Sequence, residues 1–83
     1  MFAVILTLCT YASCNAYYVD SGATMAECQT NLVTHSDKMS DVWILNDNKA
    51  LAKHLKQFNI VENVKMVQEY DYTCEFMQED TTP

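Results

Sequence analysis

The stretch MFAVILTLCT, residues 1–10, is apolar on both of its alternating sides. Phe2, Val4, Leu6 and Leu8 fall on one side, and Ala3, Ile5 and Cys9 on the other. A strand of that kind belongs inside a sheet, because a half-exposed strand alternates apolar with polar residues. The competing reading is a secretory signal, which has a basic first region, an apolar stretch and a small-residue cleavage site. Here the apolar stretch Phe2 to Leu8 is short, and no Lys or Arg precedes Lys38. YASC, residues 11–14, has some likeness to a lipoprotein cleavage box with Cys14 as the lipidated residue, but Tyr11 stands where an aliphatic residue is usual. The stretch is too short to span a bilayer as a helix. An uncleaved central strand is therefore expected.

Working outward, TYAS (10–13) makes a polar turn, and CNAYYVD (14–20) reads as a second strand rich in Tyr and Val. The two strands form a hairpin. Thr24 and Glu27 then match a capping box, in which each side chain satisfies a free N–H of the first helical turn. Met25, Cys28, Leu32 and His35 continue one face of a helix over 24–36. DKMSDVWILNDN (37–48) reads as a break, with Ser40 or Asp41 capping a short turn that carries Val42, Trp43, Ile44 and Leu45. A second helix follows in NDNKALAKHLKQFN (46–59), with Leu51, Leu55 and Phe58 inward and Lys49, Lys53 and Lys56 on the opposite side. From Val64 to Met77 the chain alternates again. Val64, Met66, Tyr70, Tyr72, Cys74 and Phe76 oppose Lys65, Glu69, Asp71, Thr73 and Glu75, which predicts a long strand with one acidic, solvated face. The tail at 78–83 is expected to fray.

This β-β-α-α-β order predicts an α+β fold in a single domain, 1–83. Its small antiparallel sheet has three strands in the order two-one-three, first strand central, with helices packed on one face. With 49% apolar residues, one Gly and one Pro, the composition is globular. Eleven acids against five bases leave a net charge of −6. Such a chain is repelled by phosphate backbones and suits a basic protein surface instead.

Four cysteines, Cys9, Cys14, Cys28 and Cys74, read as structural and allow two disulfides in three connectivities. Cys9 and Cys14 flank one turn and should be close in space. In a reducing compartment all four would be buried thiols. Their spacing matches a zinc site poorly, so no metal or cofactor is expected; a zinc-bearing structural module, with His35 joining Cys28, is the weakest alternative. No enzyme is expected either. His35 and His54 are the only histidines, nothing sets either beside a thiol, and Gly22 alone cannot build a phosphate loop. The remaining candidates are partner-binding residues: the acids Glu69, Asp71 and Glu75, extended by Glu79 and Asp80; Trp43 with its aliphatic neighbours; and the stripe Lys49, Lys53, Lys56. Acids at every second strand residue lie about 7 Å apart, near the spacing of phosphates, which suits a basic groove.

The residues MFAVILTLCTYASCNAYYVD, with Thr24, Glu27 and Cys28 after them, resemble a family of short, uncharacterised proteins of enterobacterial phages and prophages. The likeness covers residues 1–28 and, loosely, the late Cys74. Its start, Met1, Ala3, Val4, Leu6 and Cys9, looks like a strand of the fold. The family's domain has no assigned function, so the resemblance carries over no active site. It implies a small accessory protein in the bacterial host cytoplasm, not a membrane protein, and makes 37–63 an insertion relative to shorter members. Genes of that neighbourhood often encode inhibitors of host nucleases and defence factors. The expected partner is thus a host protein with a basic surface, with self-association through a sheet edge as a further option. The alternative class is a secreted or periplasmic lipoprotein, stapled by disulfides, that affects the host envelope.

Overall fold

A computed structural model describes residues 1–77. The tail at 78–83, and with it Glu79 and Asp80, lies outside the described residues. Strand β1 (Phe2–Thr10) pairs antiparallel with β2 (Cys14–Gly22) on one side and with β3 (Val67–Phe76) on the other, so the sheet order is β2-β1-β3. The Thr10 hydroxyl shapes the first turn by accepting from the N–H groups of Ala12 and Ser13. Val4, Leu6 and Leu8 of β1 are fully buried.

Helix α1 (Met25–Ile44) starts as the capping box requires: Thr24 Oγ1 accepts from Glu27 N–H at 3.1 Å. Glu27 Oε2 returns the contact to Ala23 N–H, one residue before the cap, at 2.9 Å. The helix does not break at 37–45 as the sequence reading expected; it runs on to Ile44. No Gly or Pro interrupts it, and the inward stripe of Cys28, Leu32 and His35 continues through Met39, Val42 and Trp43 at helical spacing. Ser40 and Asp41 are interior helix residues, not caps. Asn46, at φ 50°, ends the helix in the left-handed region, which Asn tolerates better than most residues.

Helix α2 (Asn48–Lys56) is capped by Asp47, whose carboxylate accepts from Lys49 N–H at 2.9 Å. It buries Leu51, His54 and Leu55. A short 3-10 turn, Val64–Met66, then occupies the start of the predicted last strand, so β3 begins at Val67. Met39, Leu51, Leu55 and Ile60 pack with Val4, Leu6, Leu8 and Tyr72 in one cluster. The segment 37–63 therefore supplies a large part of the core. Burial, and then repulsion between its phenolate and the charge of the adjacent Tyr70 phenol oxygen, push the Tyr72 hydroxyl up to about 12.

The cysteines pair as Cys9–Cys14, across the β1–β2 turn, and Cys28–Cys74, from the first turns of α1 to β3. The second bond joins residues 46 apart in sequence. Closing a loop of that length in the unfolded chain stabilises the fold by about 4 kcal/mol on a chain-entropy account. Cys28 is fully buried, but Cys14 is exposed, so the four do not share the buried setting expected of them.

The end of β2 meets the start of α1 at Gly22. A Cβ there would stand 2.7 Å from the backbone nitrogen of Cys28 and 2.8 Å from Glu27 Cβ. Strand or helix would have to shift, so Gly22→Ala should cost ~1–3 kcal/mol, the usual range for overpacking. Urea unfolding of the disulfide-intact protein should show a lower midpoint at an unchanged slope. A neutral Gly22→Ala would mean that the strand and helix are free to separate.

Candidate functional site

Side chains alternate along β1, so one set enters the core and the other faces away from the helices. The outward set is arranged in rows across the three strands. Ala3 lies between Ser21 and Glu75, Ile5 between Tyr18 and Thr73, Thr7 between Ala16 and Asp71, and Cys9 between Cys14 and Glu69. Ala3 is fully buried, the others are half-buried or exposed, and none of them is in the hydrophobic cluster under the helices. Tyr18 is 52% exposed, Ile5 and Thr7 are half-buried, and Glu69, Asp71 and Glu75 are exposed. The result is an open sheet face with a mild apolar centre and an acidic flank on β3.

A β-bulge decides what the other flank carries. The register shifts between Val4 and Ile5: Val4 pairs with Asp20 but Ile5 pairs with Tyr18, leaving Val19 as the extra residue. Strict alternation would put Asp20 beside Tyr18 on the open face. The shift turns it to the helix side, where its Oδ2 lies 2.9 Å from His35 Nε2. That bond, and then the Ser21 N–H, hold the Asp20 carboxyl below its usual range against an opposing effect of burial. Asn31 reinforces the same join by donating to the Ser21 carbonyl at 3.0 Å.

The five bases are Lys38, Lys49, Lys53, Lys56 and Lys65. They lie on α1, on α2 and on the 3-10 turn, and no strand carries one. The strands carry Asp20, Glu69, Asp71 and Glu75. The molecule is thus divided into a sheet without positive charge and a helical layer that holds every lysine.

The residues singled out from sequence fall into two groups that the fold keeps apart. Glu69, Asp71 and Glu75 share the open face. Trp43 is on the other side of the sheet, half-buried and edge-on to Tyr70, with ring centroids 4.9 Å apart. Lys49, Lys53 and Lys56 are exposed on α2. Beside them, Leu55, Ile60, Val61 and Val64 form a shallow apolar hollow rimmed by Lys56 and Glu62. Glu62 is itself engaged: it accepts from Asn15 Nδ2 and from the Tyr17 hydroxyl. That bond, with burial and the carboxylate's charge behind it, pushes the Tyr17 phenol up to about 12. The sequence reading missed Ile5, Thr7, Ala16 and Tyr18 as surface residues, although the doubly apolar β1 was the clue.

Cys28 is bonded to Cys74, His35 is bonded to Asp20, and no cluster of three or more His, Cys, Asp or Glu could hold a metal among the described residues. Among the same residues, no helix is long and apolar enough to cross a membrane. No protein-family model, curated protein or solved structure matches this chain.

The helix side holds a buried titratable group. His54 is 8% exposed, and among the described residues its Nε2 has no hydrogen-bond partner. Burial, then the nearby His35 and Lys38, hold its pKa below the ordinary 6.5. The unfolded chain takes up the proton that the folded chain resists, so stability present above 6.5 is lost as the pH falls below it. The contribution of Asp20 is lost later, as the pH falls below 3.8. Urea midpoints should drop between about pH 7 and pH 5, and His54→Leu should flatten that drop. An unchanged slope in His54→Leu would assign the sensitivity elsewhere.

Proposed function

We propose that this chain is a small acidic interaction protein that docks on a basic surface of a host protein through the open face of its sheet. On the resemblance given above it is phage- or prophage-encoded and acts in the host cytoplasm, where it inhibits or redirects its target. One observation carries the reading: the central strand is apolar on both sides, yet helices cover only one of them, and the uncovered side is flanked by Glu69, Asp71 and Glu75 with no base on any strand. An uncovered sheet face with an apolar centre gains by burial against another molecule, and a flank of one charge selects partners of the opposite charge.

The second reading is a secreted or periplasmic disulfide-stapled lipoprotein, in whose oxidising compartment the two cysteine pairs would persist as bonds. Close pairs also exist when reduced, so counting free thiols in protein quenched directly from cells separates the two. The lipoprotein form of that reading has a structural cost. Processing before Cys14 would remove β1, the strand to which both others are bonded.

The test places a photo-crosslinker at Tyr18 or Thr73 on the open face and, as control, at Lys53 on α2. A basic host protein should be captured from the first two positions and not from the third. The triple variant Glu69→Gln, Asp71→Asn, Glu75→Gln should keep its unfolding free energy, from urea titration, within about 0.5 kcal/mol, because exposed charges contribute little to stability. Its affinity for the captured protein should fall and lose most of its salt dependence. Capture from Lys53 alone, or equal salt slopes for wild type and variant, would move the contact surface to the helices.

A further inference from the structure

On the reading that the open sheet face is the contact surface, we infer that its occupant is an amphipathic helix of the partner, with its apolar stripe along β1 and its Lys or Arg residues along the flank over β3.

Backbone hydrogen bonding makes the first distinction. A peptide lying extended across a sheet face leaves its own N–H and C=O groups unpaired, at a cost for each one buried. Such a peptide would pair with an edge, β2 or β3, instead. A helix arrives with its backbone already satisfied.

Dimensions agree. From β2 to β3 there are two inter-strand gaps, about 10 Å in all, close to the diameter of a helix with its side chains. β1 is 9 residues long, about 30 Å, which accommodates about 20 helical residues. The protein already uses this arrangement once: α1, 20 residues long, lies against all three strands on the opposite face. In parallel α/β sheets, strands apolar on both sides are those covered by helices on both faces, and β1, though in an antiparallel sheet, has Ala3 and Ile5 on its second side. A helix on the open face would complete that architecture.

Charge fixes the side. Each row across the face has a β3 member, and three of the four are acids, while the β2 members are Ser21, Tyr18, Ala16 and Cys14. A helix with bases on one flank meets acids there and neutral groups opposite. Four helical residues rise about 6 Å and two strand residues about 7 Å, so bases at i and i+4 match Glu69 and Asp71. A second copy of the folded chain has no such helix to offer: the buried sides of α1 and α2 are spent on its own core, and α1, where Met25, Val33 and Ile44 stay exposed, carries a single lysine, Lys38.

The experiment titrates the full, disulfide-intact chain with synthetic peptides of about 18 residues and follows amide chemical shifts. One peptide carries Leu at helical spacing with Lys along a single flank. The second has the same composition in strict alternation. The third is the helical peptide with Glu for Lys. The first should shift Ile5, Thr7, Ala16, Tyr18 and Thr73 and bind at least about tenfold more tightly than the others. The Glu69→Gln, Asp71→Asn, Glu75→Gln variant should abolish that preference. Equal or tighter binding of the alternating peptide would overturn the helix and leave the open-face reading standing. Shifts confined to α2, or none with any peptide, would also overturn the inference, while the crosslinking positions judge the open face independently.

Discussion

β2 and β3 are not neighbours; within the sheet the backbone of each pairs with β1. The same strand sends Val4, Leu6 and Leu8 into the core. Main-chain pairing and hydrophobic burial therefore converge on one nine-residue segment. The helical layer depends on it in turn, because Cys28, Met39, Leu51 and Leu55 have the inward side of β1 and Tyr72 as their common floor. A domain this small has little stability to spare, so a defect in β1 cannot be compensated elsewhere.

Against that frame of packing, charge is distributed by layer. The inward join of α1 to β2 uses Asp20 with His35 and the close approach at Gly22, which turns the one β2 acid away from the open face. The acids of β3 are left without bases among their strand neighbours. Placed side by side in this way they repel one another mildly, and a basic partner relieves that repulsion while burying Ile5 and Tyr18. The same field reaches about one Debye length into solution and favours encounter from the sheet side.

Most of the architecture was legible in the sequence because it rests on short-range patterns. The doubly apolar start gave a central strand, Thr24 and Glu27 gave the helix start, and the alternation through Tyr70, Tyr72 and Cys74 gave β3. The length of α1 was not legible from the polar cluster at 37–41. Asp37, Ser40 and Asp41 resemble caps locally, and only the distant core that receives Met39 and Trp43 makes them outward helix positions. The acidic flank could be read from period-two spacing. The bulge at Val19 could not, since register depends on the partner strand, and with it went the knowledge of which side Asp20 would take. Nor could the sequence say that one side of β1 stays uncovered, because an apolar side looks the same whether it is buried by its own chain or awaits another.

The Cys28–Cys74 bond has a topological consequence. It closes the chain from Cys28, in the first turn of α1, to Cys74, near the end of β3, into a covalent ring. Val61, 92% exposed on the connection after α2, is the kind of site where a protease would cut. A single cut there opens the ring without dividing the molecule, and both pieces remain attached through sulfur until a reductant separates them. In the oxidised chain, damage to the helical connections is thereby uncoupled from loss of the sheet that presents the acidic face.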